Sequence, residues 1–220
     1  MVKVVSSDVD ARTAVDFNAY MKRHPGLYEE LAGCVHDHVT VASPVLLDLG
    51  AGTGLLTVEL RRRIPTATVL GLDPLRTMLR IAVENSQEAS QGSLDLLQGI
   101  SEALPLASSC VDGVVTRFSL PYWKQPKTGF LEIHRVLKPG GIVVLQGLNK
   151  EYPRWKQAVL RVLMRMRAAP ANVITYHLDA YKLAHTRQWV EDLFTETGFH
   201  IIATEGKPRD WQFLIVAQRP

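Results

Sequence analysis

The stretch from Val45 to Thr57, Val-Leu-Leu-Asp-Leu-Gly-Ala-Gly-Thr-Gly-Leu-Leu-Thr, constrains this chain more than any other. The apolar run Val45 to Leu47 reads as a buried strand, with Asp48 at its carboxyl end. Gly50, Gly52 and Gly54 then make a tight turn, where glycine allows positive φ and the close approach of a ligand. Leu55, Leu56, Val58 and Leu60 begin a helix, whose first turn offers unpaired N–H groups. Strand, glycine turn and helix together predict a nucleotide-binding corner.

The spacing narrows the ligand. A dinucleotide fingerprint is G-x-G-x-x-G. Here Gly50-Ala51-Gly52-Thr53-Gly54 is G-x-G-x-G, and Leu55 stands where the third glycine would be. The Gly-Lys-Ser/Thr of a phosphate-cradling loop is absent. A second apolar strand ends in Gly71-Leu72-Asp73, about 20 residues on, where a carboxylate suits two ribose hydroxyls. These features predict a ligand with an adenosine-like ribose and no need for a pyrophosphate.

At 220 residues the chain is sized for a single domain. A net charge of +3 is too small to argue for nucleic acid. Cys34 and Cys110 match no metal or redox spacing and read as reduced thiols of a cytoplasmic protein. No apolar run approaches the roughly 18 residues of a membrane span, so any membrane contact is expected to be peripheral.

Residues 1–43 read as a helical cap broken at His24-Pro25-Gly26. Within it Phe17 and Tyr20 either pack on the core or help to cover a ligand. Strands and helices then alternate: strand Val45–Leu49, helix Gly54–Arg63, strand Thr68–Leu72, helix Pro74–Asn85, strand Leu94–Gln98, strand Val111–Arg117, helix Lys127–Leu137, a turn at Pro139-Gly140-Gly141, and strand Ile142–Gln146. Pro74 suits a first helical turn, which gives Asp73 a second possible job as a helix cap. Residues 149–185 differ in texture. Trp155, Val159, Val162, Leu163 and Met166 share one helical face, flanked by Arg154, Lys156, Arg161, Arg165 and Arg167. That face either packs on the core or meets an anionic membrane or lipid-like acceptor. A final helix capped by Thr186 should bury Trp189, Val190, Leu193 and Phe194 and stop at Gly198. Phe199–Glu205 and Trp211–Ala217 form an antiparallel pair.

Four pieces in order resemble the class I S-adenosylmethionine-dependent methyltransferases, and within them the ubiquinone/menaquinone C-methyltransferase branch. They are Leu46 to Gly54; Gly71-Leu72-Asp73; Ala103-Leu104-Pro105-Leu106 with Val111-Asp112-Gly113-Val114-Val115; and Arg135-Val136-Leu137-Lys138-Pro139-Gly140-Gly141. The resemblance covers about residues 44 to 148 well and 186 to 218 more loosely. It implies an α/β fold, a Rossmann-like doubly wound sheet of seven strands in the order 3-2-1-4-5-7-6 with one antiparallel strand and a helical cap. It implies S-adenosylmethionine as cofactor and a small, apolar or aromatic, quinone-like acceptor. Asp48, Gly50, Ala51, Gly52, Thr53 and Gly54 would surround the amino-acid part of the cofactor, with Asp48 facing its ammonium. Asp73 would hold the ribose, and Pro74, Ile100, Ser101 and Arg117 complete the cofactor set. Ile100 stands where the family usually has an acid against the adenine, so adenine contact falls to backbone, to Ser101 or to Ile100 itself. Gln146 likewise replaces an acid usual in the branch.

Methyl transfer from a sulfonium needs alignment more than a nucleophile or a metal, and no metal motif is expected. A base matters only if the acceptor must lose a proton. Tyr122, after the fourth strand, and His177, in the loop-like segment beyond Pro170, are the candidate catalytic residues, with Tyr152, Tyr176 and Tyr181 nearby. Competing readings are a nucleic-acid methyltransferase using the basic 154–167 helix, and a cofactor-binding protein without turnover. A nicotinamide dehydrogenase is disfavoured by the glycine spacing.

Overall fold

The computed structural model describes residues 10–90 and 92–220; residues 1–9 of the expected cap lie outside the described residues. Two helices, α1 (Ala11–Met21) and α2 (Gly26–His38), precede β1 (Val45–Leu49), α3 (Leu55–Arg63), β2 (Thr68–Asp73), α4 (Arg76–Glu88), β3 (Asp95–Gln98) and β4 (Val111–Arg117). A short 3-10 turn at Leu120–Tyr122 leads to α5 (Pro126–Val136) and β5 (Leu137–Leu148). The chain ends with α6 (Arg154–Met166), α7 (Ala171–Leu183), α8 (Arg187–Glu196), β6 (His200–Glu205) and β7 (Gln212–Gln218). The seven strands form one sheet in the order β3-β2-β1-β4-β5-β7-β6. Strands β1 to β5 pair in parallel, and β7 runs antiparallel to both neighbours. This is the topology the resemblance implies.

Consecutive strand residues point to opposite faces, and both faces are covered. Leu46, Val115, Val144 and Val216 face the core shared with α2, α3 and α7. Leu47, Val114, Leu145 and Ile215 face α5 and α8. A sheet covered on both sides needs strands that are apolar throughout, and that is why β1 and β4 read as continuous runs. Because β1 pairs with both β2 and β4, the winding direction reverses there. In such sheets the reversal opens a crevice beyond the strand carboxyl ends, and the glycine turn and Asp73 lie there.

Several local expectations are corrected. Helix α4 begins at Arg76, so Pro74 precedes the helix; Leu75 occupies the cap position, and Asp73 Oδ1 accepts the Leu75 N–H at 2.9 Å. The expected turn at Pro139–Gly141 is a bulge within β5: Leu137 pairs with Val111, and the next pair is Gly113 with Ile142. Gly140, at φ +78°, gives its N–H to the Arg219 carbonyl, and the Arg219 N–H returns to Gly141. A bulge tolerates Pro139, which has no N–H to offer a ladder. Residues 171–183 are helical, so His177 sits on α7 and not in a loop. Trp189 is half-exposed and stacks on His185 with ring centroids 3.9 Å apart. The apolar stripe of α6 faces outward, and only Met164 of that helix is buried.

Candidate active site at the glycine corner

The corner is built by backbone bonds across the crevice. The N–H groups of Gly50 and Ala51 both donate to the Leu72 carbonyl, at 2.8 and 2.9 Å. The Gly52 N–H donates to Asp73 Oδ2 at 2.9 Å. Gly50 has φ +81°, and a Cβ there would lie 2.5 Å from the Ser119 Cβ, so any larger residue collides with the chain leaving β4. Gly54, at φ +73°, meets Ala82 of α4 at 2.6 Å in the same way. Gly52 differs: its φ is +54°, yet a Cβ would meet nothing nearer than 4.0 Å. Two glycines of the turn therefore serve packing, and the middle one borders open space.

Asp48 is buried beneath the turn, and its Oδ2 accepts the Thr57 hydroxyl at 2.6 Å. Burial, reinforced by the Asp73 charge and opposed by Thr57 and Arg117, pushes its pKa up to about 7. Asp73 is also raised by burial, against the hydrogen bonds from Leu75 and Gly52. Each Asp73 oxygen holds one backbone N–H, which fixes the carboxylate and leaves a lone pair on each for a ligand. The Thr53 carbonyl accepts Asn85 Nδ2 at 2.7 Å. Asn85 also exchanges two hydrogen bonds with Asn18 of α1, so the N-terminal helix is tied to the turn.

Arg117 closes the β4 side. Its guanidinium lies over the rings of Tyr28 and Phe118, 4.9 and 4.2 Å from their centroids. Burial lowers its pKa, with Tyr28 and Asp48 opposing the shift. Its Nε is buried without a hydrogen-bond partner among the described residues. A buried guanidinium N–H left unpaired is costly, and an anionic group of a ligand would satisfy it.

Ile100, two residues beyond β3, is 49% exposed and offers an apolar surface. Ser101 is buried, and its hydroxyl donates to Glu102 at 2.8 Å. Pro74 is exposed, and its carbonyl accepts Gln98 Nε2 at 3.0 Å. Beyond β4 the cap supplies aromatic rings. Tyr122 stacks on Tyr176 at 6.0 Å with nearly parallel planes, and Phe17 meets Tyr176 edge-on at 5.6 Å. Tyr122 is 38% exposed, and desolvation beside Tyr176 raises its pKa above the ordinary value. Burial and the charge of Arg117 lower His177 to about 4, so its imidazole is neutral at physiological pH. Tyr181, packed on Tyr152 and His177, has a buried hydroxyl with no partner among the described residues. A separate groove of about 680 Å³ lies between α2 and the β6–β7 end, lined by Cys34, Gln146, Glu205, Trp211 and Phe213 among others.

Thr57, Tyr28 and the Asn18–Asn85 pair carry no sequence signal of their own, because each matters through a partner on another element. Among the described residues no group of three or more His, Cys, Asp or Glu converges as a metal site.

A family model described as a methyltransferase domain matches residues 47–145. The demethylmenaquinone methyltransferase of Lactococcus lactis subsp. lactis is 31% identical over 163 residues, covering 70% of this chain and 65% of the relative. The ubiquinone/menaquinone biosynthesis C-methyltransferase UbiE of Syntrophotalea carbinolica is 37% identical over 102 residues, 46% of this chain and 43% of the relative. The chain thus spans less than two thirds of the length of either. A solved S-adenosylmethionine-dependent methyltransferase from Aquifex aeolicus superposes with a TM-score of 0.69 at 16% identity, over 92% of this chain and 97% of that one, and so shares the fold. The chain therefore has the fold of the class I S-adenosylmethionine-dependent methyltransferases and is similar to a methyltransferase domain over residues 47–145. The relatives it resembles over these stretches are methyltransferases of menaquinone and ubiquinone biosynthesis.

Proposed function

We propose that this chain transfers a methyl group from S-adenosylmethionine to a small, apolar, aromatic acceptor of quinone-like type. One observation carries the cofactor half of the reading: Arg117, with its Nε unpaired, lies near enough to Asp48 to act against the rise in its pKa, so a cation and a carboxyl stand together at the end of the strand that enters the glycine turn, as an amino-acid zwitterion requires. Arg117 would take the carboxylate of the methionine moiety, and Asp48 its ammonium. Gly52 leaves room for the chain between them, Asp73 would accept both ribose hydroxyls, and Ile100 would pack on adenine. S-adenosylmethionine supplies an electrophilic methyl group on a sulfonium. The protein's part is then to hold donor and acceptor in line, which lowers a barrier by as much as about 7–11 kcal/mol.

The acceptor half rests on the rings of Phe17, Tyr122, Tyr176 and Tyr181 and on the names of the two relatives. Desolvation raises the Tyr122 pKa, so its part here is to position the acceptor. His177 is neutral and able to accept one, weakly, from an acidic acceptor. The test is transfer of labelled methyl from S-adenosylmethionine to a panel of apolar hydroquinones, aliphatic carboxylates and amines. Labelling of the hydroquinones is expected. Labelling confined to another class would overturn the acceptor assignment, and cofactor binding without transfer to any class would favour a protein that does not turn over.

A further inference from the structure

Helix α6 carries a surface that the reaction does not use. Trp155, Val159, Val162, Leu163 and Met166 are 67, 49, 55, 45 and 77% exposed. At about 100° per residue these five fall within an arc of roughly 100°. Arg154, Arg161 and Arg165 lie along one edge of the arc, and Lys156 and Arg167 along the other. No aspartate or glutamate occurs between Tyr152 and Leu178, and the five cations form no ion pair with a carboxylate among the described residues. The opposite line of the helix, Leu160 and Met164, packs inward on the core that includes α7. An apolar ridge with cations on both flanks matches the boundary of an anionic bilayer: the ridge enters the acyl region and the cations meet the headgroups. A phosphate backbone would be met by the cations but would leave Trp155 and Met166 in water.

We infer that α6 is an interfacial anchor that docks this protein on a membrane bearing anionic lipid. The anchor is the outer layer of the cap whose inner helix, α7, carries Tyr176, His177 and Tyr181. Docking would therefore set the aromatic chamber against the bilayer, where an apolar acceptor is concentrated.

The experiment is flotation of the full chain with phosphatidylcholine vesicles and with vesicles that also contain phosphatidylglycerol. It uses wild type, the pair Trp155→Ser with Met166→Ser, and the pair Arg161→Glu with Arg165→Glu. Wild type is expected to float with the anionic vesicles only. Each reversed cation should weaken partitioning by roughly fivefold or more, and the Trp155/Met166 pair by at least tenfold, with melting temperatures unchanged because the substituted side chains are exposed. Flotation and melting are read without any methyl transfer, so the result stands apart from the proposed activity. The inference is overturned if anionic vesicles do not recruit the wild type, or if both variant pairs float as well as it does. It is also overturned if light scattering finds a dimer that the Trp155/Met166 pair dissolves, which would make the ridge a contact between copies. Salt-dependent RNA or DNA binding lost in the Arg161/Arg165 pair, without vesicle binding, would assign the face to nucleic acid instead.

Discussion

Replacing Asp48 with asparagine should make the protein more stable and less able to bind its cofactor. The carboxyl is fully buried, and its pKa rises from 3.8 to about 7. That difference corresponds to about 4 kcal/mol. The folded form holds the proton more tightly than the unfolded chain does. Stability is therefore unaffected by this group below about pH 4, falls as pH rises from about 4 to 7, and carries the full penalty above that. Asparagine keeps an oxygen for the Thr57 hydroxyl and removes the charge. The variant should melt about 8–16 °C higher than wild type near pH 8, at about 2–4 °C per kcal/mol for a chain of this size, and within a few degrees of it near pH 4. The assay is differential scanning calorimetry across that range, with calorimetric titration of S-adenosylmethionine alongside. Affinity should fall at least tenfold, because the ammonium loses its partner, and wild-type affinity should weaken as pH falls below about 7. A variant that melts lower than wild type near pH 8, or a stability difference independent of pH, would refute the reasoning.

Other consequences follow from the same geometry. Gly50→Ala forces a methyl group 2.5 Å from Ser119 at φ +81° and should cost about 3 kcal/mol or more in urea unfolding. Gly52→Ala meets no such neighbour and should cost about 1 kcal/mol of stability, yet weaken cofactor binding measurably by titration; the reverse order would show that the middle glycine does not border the ligand. Tyr122→Phe should leave turnover within about fivefold of wild type and leave the pH profile unmoved, because desolvation raises the phenol's pKa and works against its acting as a base. Loss of an alkaline limb in that variant's pH–rate profile would contradict this.

The parts that were legible in the sequence are those fixed by short-range pattern. The glycine spacing and the offset to Asp73 place the corner, and the apolar runs of β1, β2 and β4 give the sheet its parallel centre. The orientation of α6 was not legible, because periodicity defines a stripe without saying whether protein or solvent lies against it. Pro170 reads as a stop, and it also begins α7, which turns His177 and Tyr181 from loop residues into residues of a helical wall. Asp73 looked like a helix cap beside Pro74, yet its Leu75 bond holds a short turn before the helix and frees the carboxylate to face the crevice. The pairing of Arg117 with Tyr28 and of Asp48 with Thr57 joins separate elements, and no local pattern announces such contacts.

The most direct test of the central claim is calorimetric titration of the pure protein with S-adenosylmethionine and with its demethylated product, for wild type and Asp73→Ala. Both ligands should bind wild type at a single site, and the substitution should weaken both by at least about tenfold through loss of the two ribose contacts. Equal binding by the variant, or no binding by wild type, would mean that the corner at Gly50 to Gly54 does not hold this cofactor.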